Sequence, residues 1–386
     1  MAHTARIIPL SALMLWASLL GGAQQPDVVH ARLESRPVGA GLEKEFRAVV
    51  QSDAGPAWIG YAMPLVPGDH HMCCSGCEPW GDHPENLARR CGLEGGSSFN
   101  LRSGEPEGVE LEGPKRMWVL FRVVQARVMK IRVFSDDCRL DAGGLPLHWL
   151  TGVQARESVE FLSGWVRETK GKSDDDDVKF LSGWARDANG KSDDDDRETH
   201  TAQGALAAIA LTDDPAADWA FDRFAAADSP EAVRAHATFW LGEARGLHGF
   251  ELLKRIVQED ASERVREQAV FGLSVSKQPG ALQALIDAAH QGSAGVRGQA
   301  IFWLAQKAGS KAAKAITAAI EDDPETEVKK RAVFALSLMP AEEGVPLLIK
   351  VAQTNRNPEV RRQTIFWLGQ SKDPRAWAFI EDILTH

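Results

Sequence analysis

The sequence predicts an α+β protein of several domains, in which a small β-rich domain precedes an α–α solenoid. Three observations predict this fold class. Residues 201–386 repeat with a period of 31 to 32 residues, which is typical of stacked helical units. Residues 24–150 instead contain apolar runs separated by Pro and Gly clusters, as in a sheet with tight turns. All five cysteines lie in that earlier segment, which marks it as a separate structural region.

The first 23 residues have the order of a secretory signal peptide. Arg6 precedes an apolar run over residues 7–20, and the small residues Gly21, Gly22 and Ala23 follow. The run is short for a membrane span, which needs about 20 apolar residues. We therefore expect a signal peptide at 1–23 and an exported protein, periplasmic or extracellular, with no membrane span after cleavage. An uncleaved anchor is the alternative.

Charge and motif content exclude several function classes. The formal net charge is -10 at pH 7, which opposes binding to nucleic acid or to an anionic membrane. No Ser-His-Asp order, phosphate-binding Gly loop or His-Glu-x-x-His motif occurs. The sequence therefore predicts no enzymatic activity and no cofactor.

Residues 24–150 have the alternation of β-strands. Residues 57–65 read as one strand, 109–112 as a short one, and 118–134 as two long strands broken near Gln125. The order of these strands in a sheet is not readable from the sequence. The prediction is a small β-rich domain that contains the cysteines.

A loop rich in Cys and His carries the only candidate chemistry of this domain. Three interpretations are open: a loop tied by disulfides, a zinc or copper site built from Cys74, Cys77, Cys91 and a His, and a redox pair Cys74–Cys77. An oxidising compartment favours the disulfides. The candidate residues are His70, His71, Cys73, Cys74, Cys77, Cys91 and Cys138.

Residues 151–200 form an acidic linker or a set of half-repeats. A 19-residue duplication occupies 159–177 and 178–196, and each copy ends in four Asp. Such a run is suited to the N-terminus of a following helix. Calcium binding by residues 187–198 is an alternative, although the Gly of a calcium loop is displaced there.

The repeats begin at residues 201, 233, 265, 296, 328 and 360. Positions 1, 5, 8 and 9 of each unit fall on one helix face. Position 1 is Val in five of the units, and position 9 is Leu or Ile. A second apolar helix completes each later unit, at 250–257, 281–289, 312–320, 345–351 and 377–384. Such pairs bury their apolar faces only when they stack.

Two positions in these units are unusual. Position 7 is Phe in five units, although the helical wheel places it away from the centre of the core. Position 8 alternates between Trp and a small residue. Either the Phe side chains fill seams between units, or they form an aromatic surface that anchors a partner. The residues are Phe239, Phe271, Phe302, Phe334 and Phe366 at position 7, and Trp240, Gly272, Trp303, Ala335 and Trp367 at position 8.

Position 2 of the units is basic. We expect these side chains to bond carbonyl or acidic groups of a neighbouring repeat rather than a ligand. They are Arg234, Arg266, Arg297, Lys329 and Arg361.

The Val-Arg-x-x-Ala-x-x-x-Leu core and the Asp-Pro pairs before several units resemble HEAT repeats, and more closely the short HEAT-like repeats of phycobilisome lyases. The segment around Asp136 to Leu150 resembles a part of exported bacterial HEAT-repeat proteins. The resemblance implies a superhelical scaffold that binds another protein, and it does not imply lyase activity. The alternative function is a metal- or redox-active sensor or maturation factor, in which the loop from His70 to Cys91 acts and the solenoid docks the target.

Overall fold

The computed structural model describes residues 25–52, 55–68, 70, 72–73, 90–94, 114–167, 194–308 and 310–385. The predicted signal peptide, the strand at 109–112 and most of the acidic duplication lie outside these residues. The described residues divide into two compact units, one up to Gln154 and one from Ala155 onward. The fold class is confirmed: a β-containing region precedes a series of paired helices.

The first unit is built on a five-stranded mixed sheet in the order β2-β8-β3-β5-β6, with a smaller sheet β1-β7-β4. Strands β2, β8 and β3 are parallel, and β3, β5 and β6 are antiparallel. The elements are β1 (Val28–Val29), β2 (Arg32–Pro37), α1 (Leu42–Ser52), β3 (Ala57–Pro64), β4 (Arg90–Gly92), β5 (Arg116–Val124), β6 (Arg127–Ser135), β7 (Arg139–Asp141) and β8 (Pro146–Thr151).

The predicted break near Gln125 is a two-residue hairpin turn. Gln125 and Ala126 have φ of 49° and 58°, and Val124 pairs with Arg127 across the turn. Positive φ at both central residues matches the twist of a tight hairpin. The predicted strands over 57–65 and 118–134 are therefore confirmed.

Both faces of the large sheet are buried. On one face Trp58, Trp118 and Trp149 pack in a cluster that includes the cysteines Cys91 and Cys138. On the other face α1 covers the sheet, and the ring centroids of Phe46 and Phe121 lie 4.8 Å apart. The cysteines thus belong to a hydrophobic core.

The second unit is a solenoid of helix pairs preceded by α2 (Ala155–Arg167), which packs against α3 and α4. None of the helices within the described residues is long and apolar enough to cross a bilayer. The six pairs are α3 (Asp194–Leu211) and α4 (Pro215–Phe224), α5 (Glu231–Ala244) and α6 (Gly246–Glu259), α7 (Glu263–Val275) and α8 (Ala281–Gln291), α9 (Ala294–Ala308) and α10 (Ser310–Asp322), α11 (Thr326–Leu338) and α12 (Ala341–Thr354), and α13 (Pro358–Gln370) and α14 (Pro374–Thr385).

These pairs are numbered units 1 to 6 below. In each of units 2 to 6 the position-1 Val lies in the first turns of the first helix and is buried. The first helices of neighbouring units pack side by side. Helices α5 and α7 approach closely, since a Cβ on Gly242 would lie 2.0 Å from the carbonyl oxygen of Gly272. Glycine at both positions therefore sets the spacing of these two helices.

Candidate partner-binding surface and cysteine cluster

The five position-7 Phe residues lie on the first helices, and three of the five contact an aromatic ring of the next unit, namely Phe239, Phe271 and Phe334. Four of them are partly buried, and Phe366 in unit 6 is 53% exposed. Phe239 stacks on Phe271 of the next unit, with ring centroids 5.8 Å apart. The rings therefore fill the seams and also keep one edge at the surface.

The Trp residues at position 8 extend these contacts. Phe271 stacks on Trp303 of the following unit at 4.7 Å, and Phe334 contacts Trp367 at 4.9 Å. Units 4 and 6 each place a Trp over the Phe of the preceding unit. In unit 3 the same position is Gly272, because a Cβ there would meet the Thr238 carbonyl oxygen at 2.4 Å. The alternation of large and small residues at position 8 thus lets neighbouring units interlock.

These contacts give two stacks, which together we call the aromatic ribbon. Stacked and edge-on pairs of this kind add about 0.5–1.5 kcal/mol each beyond the area they bury. The ribbon therefore combines the buried Trp240 with partly exposed rings that pack on one another. Its members are Trp240, Phe239, Phe271, Trp303 and Phe302 in the first stack, and Phe334, Trp367 and Phe366 in the second.

A buried carboxylate lies next to the ribbon. Glu243 follows Phe239 by one helical turn, so both side chains project from the same face of α5. Its side chain is only 11% exposed, and Lys277 lies 3.9 Å away. Burial raises the pKa of Glu243 above its ordinary value, and the charges of Lys277 and Lys307 oppose that shift.

Two of the basic residues at position 2 bond an Asp of their own unit. Arg234 donates from Nε and Nη2 to the carboxylate of Asp260 at 2.9 and 3.1 Å. Arg297 makes the same pair of bonds to Asp323 at 2.6 and 2.9 Å. Both Asp residues follow the second helix of the same unit. The expected bonds to acidic groups are present, but they lie within a unit rather than reaching a neighbouring repeat. They hold the first helix of the unit to the turn that follows its second helix.

The three cysteines that the structure describes converge in the core of the first unit. Cys73 and Cys138 form a disulfide. Cys91 is buried beside it, and the three Sγ atoms all lie within 4.8 Å of one another. The hydroxyl of Ser135 lies 3.3 Å from the Sγ of Cys138. Three sulfurs at this spacing can exchange disulfide partners, or can hold a soft metal when the disulfide is open.

Of the other candidate residues of this loop, the structure describes His70. His70 is buried, at 4% exposure. His71, Cys74 and Cys77 lie outside the described residues, and so does the predicted redox pair. Most of the calcium candidate at 187–198 also lies outside them, although its last residues begin helix α3.

Sequence reasoning left one feature of these sites open and missed a second. The pairing of Cys73 with Cys138 joins residues 65 positions apart, and five cysteines allow many pairings. The second is the link between Arg at position 2 and an Asp 26 residues later, in Arg234–Asp260 and Arg297–Asp323. That spacing recurs in the sequence and was available as a signal.

Comparison with known proteins agrees with this architecture. The profile of the HEAT-repeat family matches residues 222–305 and 313–386. HEAT repeats are therefore present in the solenoid. No protein of curated function matches the chain.

Solved structures with a similar fold are distant. A designed armadillo repeat protein in complex with a (KR)4 peptide is 18% identical, with 57% of this chain and 95% of that chain covered and a TM-score of 0.27. Human deoxyhypusine hydroxylase is 17% identical, with coverages of 57% and 80% and a TM-score of 0.27. Kap121p bound to Pho4p is 15% identical, with coverages of 55% and 25% and a TM-score of 0.31. Identities and TM-scores this low transfer no activity to this chain.

Proposed function

We propose that the protein is a scaffold whose solenoid binds another protein along the aromatic ribbon. The observation that carries this proposal is the stacking of Phe and Trp rings across units, with edges that remain at the surface and with Phe366 more than half exposed. Pre-ordered aromatic side chains lose little entropy on binding and dominate the energetics of many interfaces. The partner is a protein segment that presents apolar or aromatic side chains.

The test compares two aromatic residues of the same unit. Phe366 belongs to the ribbon and is 53% exposed, whereas Trp377 lies on α14 outside it and is 57% exposed. Phe366→Ser, alone and combined with Phe239→Ser and Phe302→Ser, is expected to weaken capture of the native partner at least tenfold. Trp377→Ser is the control and is expected to leave capture unchanged.

Circular dichroism separates loss of binding from loss of folding. Phe366→Ser removes a half-exposed ring, so the helical signal is expected to persist. Equal capture by folded Phe366→Ser, by the folded triple variant and by the native chain would remove the ribbon from the interface.

Export is part of the same proposal. A disulfide between Cys73 and Cys138 supports it, because disulfides persist in oxidising compartments. Cell fractionation with a thiol label that does not cross membranes is the test. Recovery of reduced Cys73 and Cys138 from the cytosolic fraction would oppose it.

A thiol–disulfide function is the second candidate, favoured by the three sulfurs within 4.8 Å of one another. In the exchange step the Cys91 thiolate attacks the Sγ of Cys138. A Cys91–Cys138 bond forms and the Cys73 thiolate leaves, so no external oxidant is needed. Cys73 is the most exposed of the three residues and is the thiol that a target would meet.

Peptide mapping after rapid alkylation at acidic pH tests this candidate. Exchange predicts a mixture of Cys73–Cys138 and Cys91–Cys138 bonds in the native chain, and Cys73–Cys138 alone in Cys91→Ser. A single Cys73–Cys138 bond in both proteins would contradict it.

A further inference from the structure

The position-2 arginines follow one bonding scheme in the solenoid. Each donates Nη1 to a carbonyl of the turn that precedes its unit: Arg234 to Ser229, Arg297 to Gly292 and Arg266 to Asp260, at 2.6, 2.8 and 2.6 Å. In units 2 and 4 the remaining edge of the guanidinium, Nε and Nη2, holds the Asp that follows the second helix. That edge therefore has a carboxylate as its built-in partner.

Unit 3 departs from the scheme at one residue. Gly292 follows α8 at the place that Asp260 and Asp323 occupy after α6 and α10. Within the described residues, the bond to the Asp260 carbonyl is the one hydrogen bond that the side chain of Arg266 makes. Its Nε and Nη2 edge is left without the carboxylate that the same edge binds in Arg234 and Arg297.

A cavity of about 320 Å³ opens at this place between units 2 and 3. Arg266 and Gly292 both line it, together with the second cation, Lys254. Asp287 is the acidic residue on its wall, and it accepts a hydrogen bond from Gln283. Apolar side chains complete the cavity, which suits a carboxylate on a short aliphatic stem. They are Val257, Leu273, Ala284 and Ala288.

Two further carboxylates of α7 lie near Arg266 but are directed at the start of α9. Glu263 accepts a hydrogen bond from Ser293 at 2.7 Å, and that contact lowers the pKa of Glu263. Burial raises the pKa of Glu267. The charge of Arg266 adds to the fall in the pKa of Glu263 and opposes the rise in the pKa of Glu267, so both carboxylates act on the guanidinium. Among the described residues neither forms an ion pair with Arg266, and its Nε and Nη2 edge holds no carboxylate.

We infer that the cavity between units 2 and 3 binds the carboxylate of a ligand on the Nε and Nη2 edge of Arg266, in the place that Asp260 and Asp323 fill in units 2 and 4. The ligand is an Asp or Glu side chain, or the terminal carboxylate of a peptide. This site is independent of the aromatic ribbon, because no member of the ribbon lines the cavity. Failure of one proposal leaves the other standing.

Titration of the full chain with small probes tests the binding. The probes are acetyl-glutamate amide for a side-chain carboxylate and acetyl-alanyl-alanine for a chain terminus. Acetyl-glutamine amide and the amidated dipeptide are their neutral controls. The Nε–H resonance of Arg266 in ¹⁵N NMR is expected to shift and saturate with a charged probe and not with its neutral control. The probe that binds more tightly identifies the source of the carboxylate.

Variants assign the effect to the guanidinium. Arg266→Gln is expected to weaken probe binding, followed by calorimetry, at least tenfold. Arg361→Gln is the matched control, because Arg361 holds the same position in unit 6 and donates to the Asn355 carbonyl at 2.9 Å. It is expected to leave binding unchanged.

A second pair of variants tests the same idea without touching Arg266. Gly292→Asp supplies the missing carboxylate within the chain and is expected to abolish probe binding. Gly292→Ala is the control, because it adds the same Cβ without a carboxylate. In both variants that Cβ meets Val296 Cγ1 at 2.4 Å. Gly292→Ala is expected to retain binding. Equal shifts with charged and neutral probes, or full binding by Gly292→Asp, would overturn the inference.

Discussion

Replacing Asp323 with Asn is expected to destabilise the solenoid, because Asp323 holds the buried edge of Arg297. Asp323 is 4% exposed and Arg297 is 13% exposed. A hydrogen bond to a charged group contributes about 1.5–3 kcal/mol, and removal of one partner of a buried ion pair costs about 3–5 kcal/mol. Asn keeps one oxygen, which can still accept the bond from the Glu325 amide. The expected loss in the free energy of unfolding is therefore about 3 kcal/mol.

Urea unfolding of the full chain, followed by far-UV circular dichroism, measures this loss. Asp322→Asn is the matched control: the neighbouring residue is exposed and the same charge is removed, so a change below about 0.5 kcal/mol is expected. Because repeat arrays can unfold in parts, hydrogen exchange in α9 and α11 localises the effect. Equal losses for Asp322→Asn and Asp323→Asn would refute the reasoning.

A double-mutant cycle assigns the energy to the pair. Arg297→Gln and Asp323→Asn both disrupt the ion pair, and Arg297→Gln also removes the bond to the Gly292 carbonyl. The double variant is therefore expected to lose little more than Arg297→Gln alone. Additive losses would show that the two side chains act separately.

Two further predictions concern the helices near the ribbon. Gly242→Ala is expected to destabilise by more than about 2 kcal/mol, since its Cβ would meet the Gly272 carbonyl oxygen at 2.0 Å. Gly369→Ala, at the same repeat position, finds only an atom at 3.9 Å and is expected to stabilise by up to about 1 kcal/mol, as thermal melts will show. Glu243→Gln is expected to stabilise at pH 7 but not at pH 4 in urea titrations. Burial raises the pKa of Glu243 above 4.5, so ionisation opposes folding only as the pH rises through that range; an equal gain at both pH values would exclude this cause.

The sequence predicted the solenoid well because each unit repeats the same local pattern. The Val at position 1, the Leu at position 9 and the second apolar helix recur in phase, and each helix packs mainly on its neighbours. The hairpin at Gln125 was predicted for a similar reason, since its strands are adjacent in the chain.

Long-range features escaped prediction. The parallel pairing of β2 with β8 joins strands more than 100 residues apart, as Glu34 opposite His148 illustrates. Helix α1 was missed because one short amphipathic segment has no repeat to reinforce it. The sequence shows that Gly292 stands where units 2 and 4 have Asp260 and Asp323. It does not show which edge of Arg266 the missing carboxylate would have bound.

Site-specific photo-crosslinking measures the central claim most directly. A photoreactive phenylalanine analogue replaces Phe366 or Phe302 in the ribbon, or Lys311, an exposed residue on α10. The account predicts that the partner is crosslinked at both ribbon positions and not at Lys311, and that Phe239→Ser reduces the yield. Crosslinking of the same partner with equal yield at all three positions, or at Lys311 alone, would contradict it.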